Sequence, residues 1–231
     1  SSIQLDNLER GFSFKSNKKL DMSMGLNEIS AFNAVNNLAE KDLKSVIQFL
    51  GDEKEASSIA KNIVKHRNLQ KITSTSELVR IIEKSKKRNY YSKINPSTKT
   101  FQALRIFVNK EITELINGLI KATKKLKPGG KIIIISFHSI EDKIIKFFFT
   151  NFSKNKSKPS RYFPDHKTDK TALFNEYKNK VFRPSKKEVD LNIRSRSAKL
   201  RFAIRSEDKF QYPSALTEKF KKYLNLEALS A

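Results

Sequence analysis

His138 closes an apolar run, Lys131 to Phe137, and is followed by Ser139-Ile140-Glu141-Asp142. At the carboxyl end of a strand, where α/β folds present their ligands, an imidazole can hydrogen-bond a substrate or relay a proton, although a lone His there is often structural. Glu141 and Asp142 open the helix that follows, where acids answer the helix dipole, so neither is assigned as a base. Asp21, in the loop segment Leu20-Asp21-Met22, can orient a base or Arg10, or simply shape the turn. Phe12 and Phe14 can stack on a flipped base or anchor the core. Arg194, Arg196, Lys199 and Arg201 alternate with small residues. An extended segment sends Arg194 and Arg196 to one face, forming a cationic ladder for phosphates or a solvated edge strand kept soluble by its charges.

These side chains need positioning by helices and at least one buried strand. The stretch to about Gly25 has no sustained period and reads as loop. From Ser30, apolar residues at Ala31, Ala34, Val35 and Leu38, then Leu43, Val46, Ile47 and Leu50, follow helical spacing, with Gly51 as a stop. A third stripe runs Ala56 to Val64, and Ser74-Thr75-Ser76-Glu77 has the form of a capping box leading into Leu78, Ile81 and Ile82. A polar connector, Lys86 to Lys99, precedes one long helix from Phe101 to Leu126, ended by Lys127-Pro128-Gly129-Gly130. Arg105, amid this apolar helix, is expected to make a buried pair or to seal the helical segment against the core rather than to bind a polyanion. The β-branched run after Gly130 predicts a central strand buried on both faces of a parallel sheet, then a crossover helix from Ile140 to Phe149. Short strands are predicted at Val181–Arg183 and Leu200–Arg205. The fold class is α/β, the back half of an open sheet with an incomplete edge. Among six glycines there is no G-x-G loop, and Gly129-Gly130 precedes a strand rather than following one.

Composition narrows the chemistry. The 231 residues hold 47 Lys+Arg against 24 Asp+Glu, a net charge of +23, with 17 Phe and a mean hydropathy of −0.57. That is enough apolar material for one packed domain or slightly more. The absence of Cys excludes disulfides, thiolate metal sites and Cys nucleophiles within this chain, and with three His no metal site is expected. No apolar run approaches the roughly 20 residues of a membrane span. The first residues, Ser1-Ser2-Ile3, read as internal to something longer. The positive excess points to a polyanion, nucleic acid first, or in part to an inflated Lys content whose charges simply solvate helix faces. Residues 151 to 205 carry 16 Lys/Arg against 5 acids, interleaved with Tyr162, Phe163, Phe174, Tyr177 and Phe182, which favours a binding surface.

Four segments together resemble one family: Gln4-Leu5-Asp6 with Glu9-Arg10-Gly11-Phe12-Ser13-Phe14 and Leu20-Asp21-Met22; Thr100-Phe101-Gln102-Ala103-Leu104-Arg105-Ile106; Ser136-Phe137-His138-Ser139-Ile140-Glu141-Asp142-Lys143; and Arg194-Ser195-Arg196-Ser197-Ala198-Lys199-Leu200-Arg201. In this order they are similar to the MraW-type S-adenosylmethionine-dependent methyltransferases, which modify the N4 amine of one 16S rRNA cytidine at the decoding centre. The resemblance covers about residues 1 to 205. It implies a Rossmann-like class I methyltransferase core, with the C-terminal half of the sheet present and an all-helical domain inserted. The implied segments are 1–26 as the end of the core's N-terminal part, 27–95 as a helical, substrate-recognising insert, 96–205 as the rest of the core, and 206–231 as a tail.

The resemblance further implies S-adenosyl-L-methionine as cofactor, contacted by Gln4, whose amide both donates and accepts. The family's first strands, Gly-rich loop and ribose-binding acid would precede Ser1. Implied catalytic residues are His138, by hydrogen-bonding the cytosine or relaying the amine proton, and Asp21. Implied RNA contacts are Arg194, Arg196, Lys199 and Arg201 with Phe12 and Phe14. The implied partner is 16S rRNA in the small ribosomal subunit, in the cytoplasm. Where the family reads Leu-Asp-Met-Arg-Met-Asp, this sequence has Ser23 and Gly25 in place of the Arg and the final Asp. The alternative reading is a noncatalytic RNA- or ribosome-binding remnant; a helical protein-interaction module on residues 30 to 88 rests only on amphipathic stripes.

Overall fold

The computed structural model describes residues 11–12, 18–25, 29–86, 95–154 and 172–229. The chain divides into two compact units, Ser1–Thr113 with Lys222–Ala231, and Glu114–Lys221.

In the first unit the stripes become helices α1 (Ala31–Asn37), α2 (Glu40–Gly51), α3 (Ala56–Arg67), α4 (Thr75–Ser85) and α5 (Thr98–Asn109). Leu43, Val46, Ile47, Leu50, Ile59, Ile63, Leu78 and Ile82 are fully buried where these helices meet. The Ser74 hydroxyl accepts from Glu77 N at 3.3 Å, and the Glu77 carboxylate returns to Thr73 N at 3.0 Å, so the turn before α4 is tied from both sides. Gly51 has a different task from the predicted stop. It is the last helical residue, Asp52 takes the left-handed conformation (φ 51°), and a Cβ on Gly51 would lie 2.5 Å from the Lys99 carbonyl oxygen. The glycine lets α2 approach α5 closely.

The predicted long helix is two. Lys110 adopts φ 48° and ends α5, and α6 (Glu111–Lys125) starts at the next residue. Two anchors hold the break. Arg105 grips Glu111 with two hydrogen bonds, Nε to Oε1 at 2.7 Å and Nη2 to Oε2 at 3.0 Å. The buried Glu227 carboxylate accepts from Ile112 N at 2.9 Å and Thr113 N at 2.8 Å, which satisfies amides at the α6 N-terminus. Glu227 lies near the end of the last helix, α9 (Ser214–Ala228), where Lys222 Nζ also sits 3.1 Å from the centroid of the Phe49 ring.

The second unit contains β1 (Lys131–Ser136), α7 (Ser139–Asn151), α8 (Lys186–Leu191), a 3₁₀ turn (Ile193–Ser197) and β2 (Lys199–Ile204). Gly129, at φ 77°, makes the tight turn into β1, and its amide donates to the Arg205 carbonyl. The strand pairing corrects the expectation. β1 pairs antiparallel with β2, Ile133 opposite Phe202 and Ile135 opposite Leu200. Ile133 and Ile135 are 61% and 55% exposed rather than buried. Among the described residues β2 is the only strand beside β1 in the sheet, and α7 packs on both strands. A continuous β-branched run cannot by itself distinguish this from a doubly covered strand. Val181–Arg183 forms no strand; Phe182 makes an isolated bridge to Leu200.

Phe148, Phe149, Phe174 and Tyr177 form one edge-to-face cluster beneath α7, with centroids 5.2–5.4 Å apart between the contacting T-shaped pairs. Phe174 and Tyr177 are therefore core residues, not parts of an aromatic binding surface; Tyr162 and Phe163 lie outside the described residues. No helix among the described residues is long and apolar enough to cross a membrane.

Candidate functional site

The carboxyl end of β1 runs directly into α7 through Phe137 and His138. His138 is the N-cap of α7, in extended conformation at φ −135°, ψ 167°. Its Nδ1 accepts from Glu141 N at 3.4 Å, and Glu141 Oε2 accepts from Phe137 N at 2.8 Å and His138 N at 3.3 Å. This is a capping box in which imidazole replaces the usual hydroxyl. With Nδ1 accepting, the hydrogen-bond pattern assigns the imidazole proton to Nε2, 3.4 Å from Glu141 Oε1. The His138 side chain is 8% exposed. The ring is oriented through Nδ1, with Nε2 buried beside Glu141, and it gives up the cap if Nδ1 takes a proton.

Asp142, one residue on, turns toward β2. Its carboxylate accepts from Arg201 Nε at 2.7 Å, Arg201 Nη2 at 3.3 Å and Lys199 Nζ at 3.0 Å. Arg201 Nη1 donates to the Tyr177 hydroxyl and Asn179 Oδ1, both at 3.0 Å. Burial pushes the Asp142 carboxyl up, but hydrogen bonds and charge from Arg201 and Lys199 outweigh it and hold it below the ordinary carboxylate range. For Arg201, burial works against the charge while the hydrogen bonds to Asp142 and Tyr177 raise the guanidinium above its usual value.

These contacts revise the cationic ladder. Lys199, Arg201 and Ala203 alternate on the β2 face toward α7, so Arg201, 6% exposed, is engaged internally and Lys199 shares the same carboxylate. Arg194 and Arg196 are exposed but lie in the 3₁₀ turn, begun by Asn192 Oδ1 accepting from Arg194 N. At three residues per turn, positions two apart do not share a face, so the extended geometry does not hold there.

In the first unit, Asp21 sits between Leu20 and Met22, both about 1% exposed. Its carbonyl accepts from Ala31 N and the Leu20 carbonyl from Phe32 N, each at 2.6 Å. Met22 adopts φ 59°, a left-handed conformation costing a non-glycine residue about 1–3 kcal/mol. Asn109 holds it there: Nδ2 donates to the Met22 carbonyl at 2.8 Å, and Oδ1 accepts from Met24 N at 2.6 Å. The Asp21 carboxylate is thus carried on a strained loop clamped from α5, and Ser23 and Gly25 belong to that loop. Sequence reasoning missed Asn109; its one signal was an amide at the end of an otherwise apolar helical stripe. Phe12 is half-buried, whereas Gln4 and Phe14 lie outside the described residues.

Residues 1–206 match the MraW methylase family. The chain is similar to the ribosomal RNA small subunit methyltransferase H of Agrobacterium fabrum, with 43% identity over 206 residues, covering 89% of this chain and 60% of that protein. Its counterpart in Bartonella grahamii is 43% identical over 90% of this chain and 62% of that protein, and that of Rickettsia africae is 46% identical over 88% and 66%. The chain therefore spans about three fifths of the length of the first two relatives and about two thirds of the third. By the extent of this match, the chain belongs to the MraW methylase family.

Proposed function

We propose that the protein containing this chain transfers a methyl group from S-adenosylmethionine to the N4 amine of a cytidine in 16S rRNA at the decoding centre. The observation that carries the reading is the family match over residues 1–206, with relatives named as methyltransferases of small-subunit ribosomal RNA. The architecture that goes with it is a Rossmann-like class I core with helices 27–95 inserted as a recognition domain, acting in the cytoplasm on the small ribosomal subunit.

An aromatic exocyclic amine is a poor nucleophile because its lone pair is delocalised into the ring. The protein must hold it in line and polarise it, which hydrogen bonding and proximity achieve without a covalent intermediate. His138 suits that task. Its ring is held at the strand end by the Glu141 amide at Nδ1, with Nε2 buried 3.4 Å from Glu141 Oε1, so it would serve as an N–H donor once Nε2 is uncovered toward the substrate. The chain contains no Cys, and an amine-directed transfer requires none. Arg194 and Arg196, exposed on the 3₁₀ turn, are the candidate phosphate contacts of the second unit.

The cofactor supplies the electrophilic methyl group. The described residues do not by themselves form its pocket: Gly129-Gly130 turns into β1 from the wrong end, and Gln4 lies outside them. Expression of the gene in bacteria lacking their own relative, followed by nucleoside mass spectrometry of 16S rRNA, is expected to restore N4-methylcytidine; rRNA left unmodified, or methylated only at a ring carbon, contradicts the reading.

A further inference from the structure

The hairpin of α3 and α4, residues 56–86, holds seven Lys/Arg against two Glu. Several of these cations are internally engaged. Arg67 donates to the Val35 and Leu38 carbonyls at 2.8 and 2.7 Å, tying α3 to α1, and Lys86 pairs with Glu53 at 2.6 Å. Arg80 and Lys84 differ: both are exposed, and neither has a hydrogen bond or ion pair among the described residues.

Both line an open cavity of about 500 Å³ between the end of α3 and one face of α4. Ser76, Arg80 and Lys84 are four residues apart, so they stand in one row along α4, each step rising about 6 Å. His66 and Gln70 form the opposite wall, and Ser74 closes the end beside the α4 N-terminus, where the exposed Lys19 pairs its backbone with Ser74. The one acid in the lining is turned aside: Glu77 gives one oxygen to Thr73 N and faces His66 Nδ1 at 3.7 Å with the other. Arg80 and Lys84 are left unneutralised above a hydroxyl- and amide-lined floor.

Small-molecule pockets are mostly apolar and enclosed, and this groove is polar and open. Two free cations one helical turn apart suit a linear polyanion, with hydroxyl and amide groups for its oxygens. We propose that the α3–α4 groove is an RNA-backbone site, with Arg80 and Lys84 on neighbouring phosphates and Ser76 and Gln70 on phosphate or ribose oxygens. It rests on the rRNA reading above and gives that substrate a contact surface in the first unit, separate from Arg194 and Arg196.

The test is binding of a fluorescein-labelled single-stranded RNA by the 231-residue chain across a salt series. Arg80→Gln/Lys84→Gln is expected to reduce the slope of log K against log salt by about 1.4 in magnitude, two contacts at about 0.7 each, and to weaken binding on the order of tenfold near 0.1 M salt. Lys61→Gln/Lys65→Gln on α3 makes the same charge change outside the cavity lining and is expected to have less than half that effect. Glu77→Gln keeps an acceptor for Thr73 N, removes the charge and is expected to tighten binding. Inorganic phosphate at matched ionic strength is expected not to displace the RNA. Equal effects of the two double variants, or displacement by phosphate alone, overturns the groove while leaving the rRNA reading intact. No RNA binding by the wild-type chain overturns the groove and counts against the rRNA reading for this chain as well.

Discussion

Asp142 and Arg201, 59 residues apart in sequence, are joined by two hydrogen bonds, Arg201 Nε to Oδ1 at 2.7 Å and Nη2 to Oδ2 at 3.3 Å. The pair fastens the first turn of α7 to β2, directly behind the His138 cap. Removing one member of a buried pair strands the other charge, so Asp142→Asn is expected to cost about 2–4 kcal/mol in urea unfolding of this chain, short of the full value because Asp142 keeps 13% of its side chain exposed. The native carboxyl titrates below its unfolded value. Its contribution is therefore complete above the ordinary carboxylate range and is lost as pH falls through that range toward the lowered native value. Wild type and Asp142→Asn should converge in stability at acid pH; a constant difference would contradict the pairing.

Glu227 behaves in the opposite sense. Burial raises its carboxyl above the ordinary value despite hydrogen bonds from Thr113 and Ile112. The folded state then holds the proton longer than the unfolded chain, and the contribution of Glu227 to stability declines as pH rises through the ordinary range toward the raised value. Glu227→Ala is expected to lose about 1–2 kcal/mol as a missing helix cap. The gap from wild type should be larger on the acid side, as measured by chemical unfolding at two pH values.

Asn109 is expected to control the Asp21 loop. Asn109→Ala removes the hydrogen bonds to Met22 and Met24 and lets Met22 leave its left-handed conformation. Amide hydrogen exchange should rise in residues 20–25 well before global unfolding. In Met22→Gly, which relieves the φ strain and leaves Asn109 in place, exchange of the same amides should change less.

His138 permits a separation of scaffold from chemistry. Asn is a good N-cap, so His138→Asn is expected to keep stability within about 1 kcal/mol of wild type. If the imidazole serves the reacting amine, methyl transfer should still fall about a hundredfold or more. Equal losses in stability and transfer would make His138 a cap and nothing else.

The helical stripes were legible because burial follows 3.6-residue spacing: Leu43, Val46, Ile47 and Leu50 all reach the core as predicted. The break at Lys110 was not, since a Lys in left-handed conformation leaves no Gly or Pro as a mark, and one of the two anchors that hold it, Glu227, lies over a hundred residues away. Exposure of β1 depended on what else covers it, which periodicity does not encode. For the site, the His138 segment was recognisable by its residues, but the roles of its neighbours were set by pairing across long sequence separations. Arg201 looked like a surface cation until strand alternation placed it opposite Asp142. Phe174 and Tyr177 looked like surface aromatics because they stand in a basic stretch of sequence, whereas their rings pack edge to face against Phe148 and Phe149 of α7.

The most direct measurement is transfer of radiolabelled methyl from S-adenosylmethionine to small ribosomal subunits lacking base methylation, by this chain joined to the segment that completes the length of its Agrobacterium relative. The account expects label in a single cytidine of 16S rRNA, recovered as N4-methylcytidine and nearly abolished by His138→Asn. Label elsewhere, or none although the joined protein is folded and binds the subunit, would contradict it.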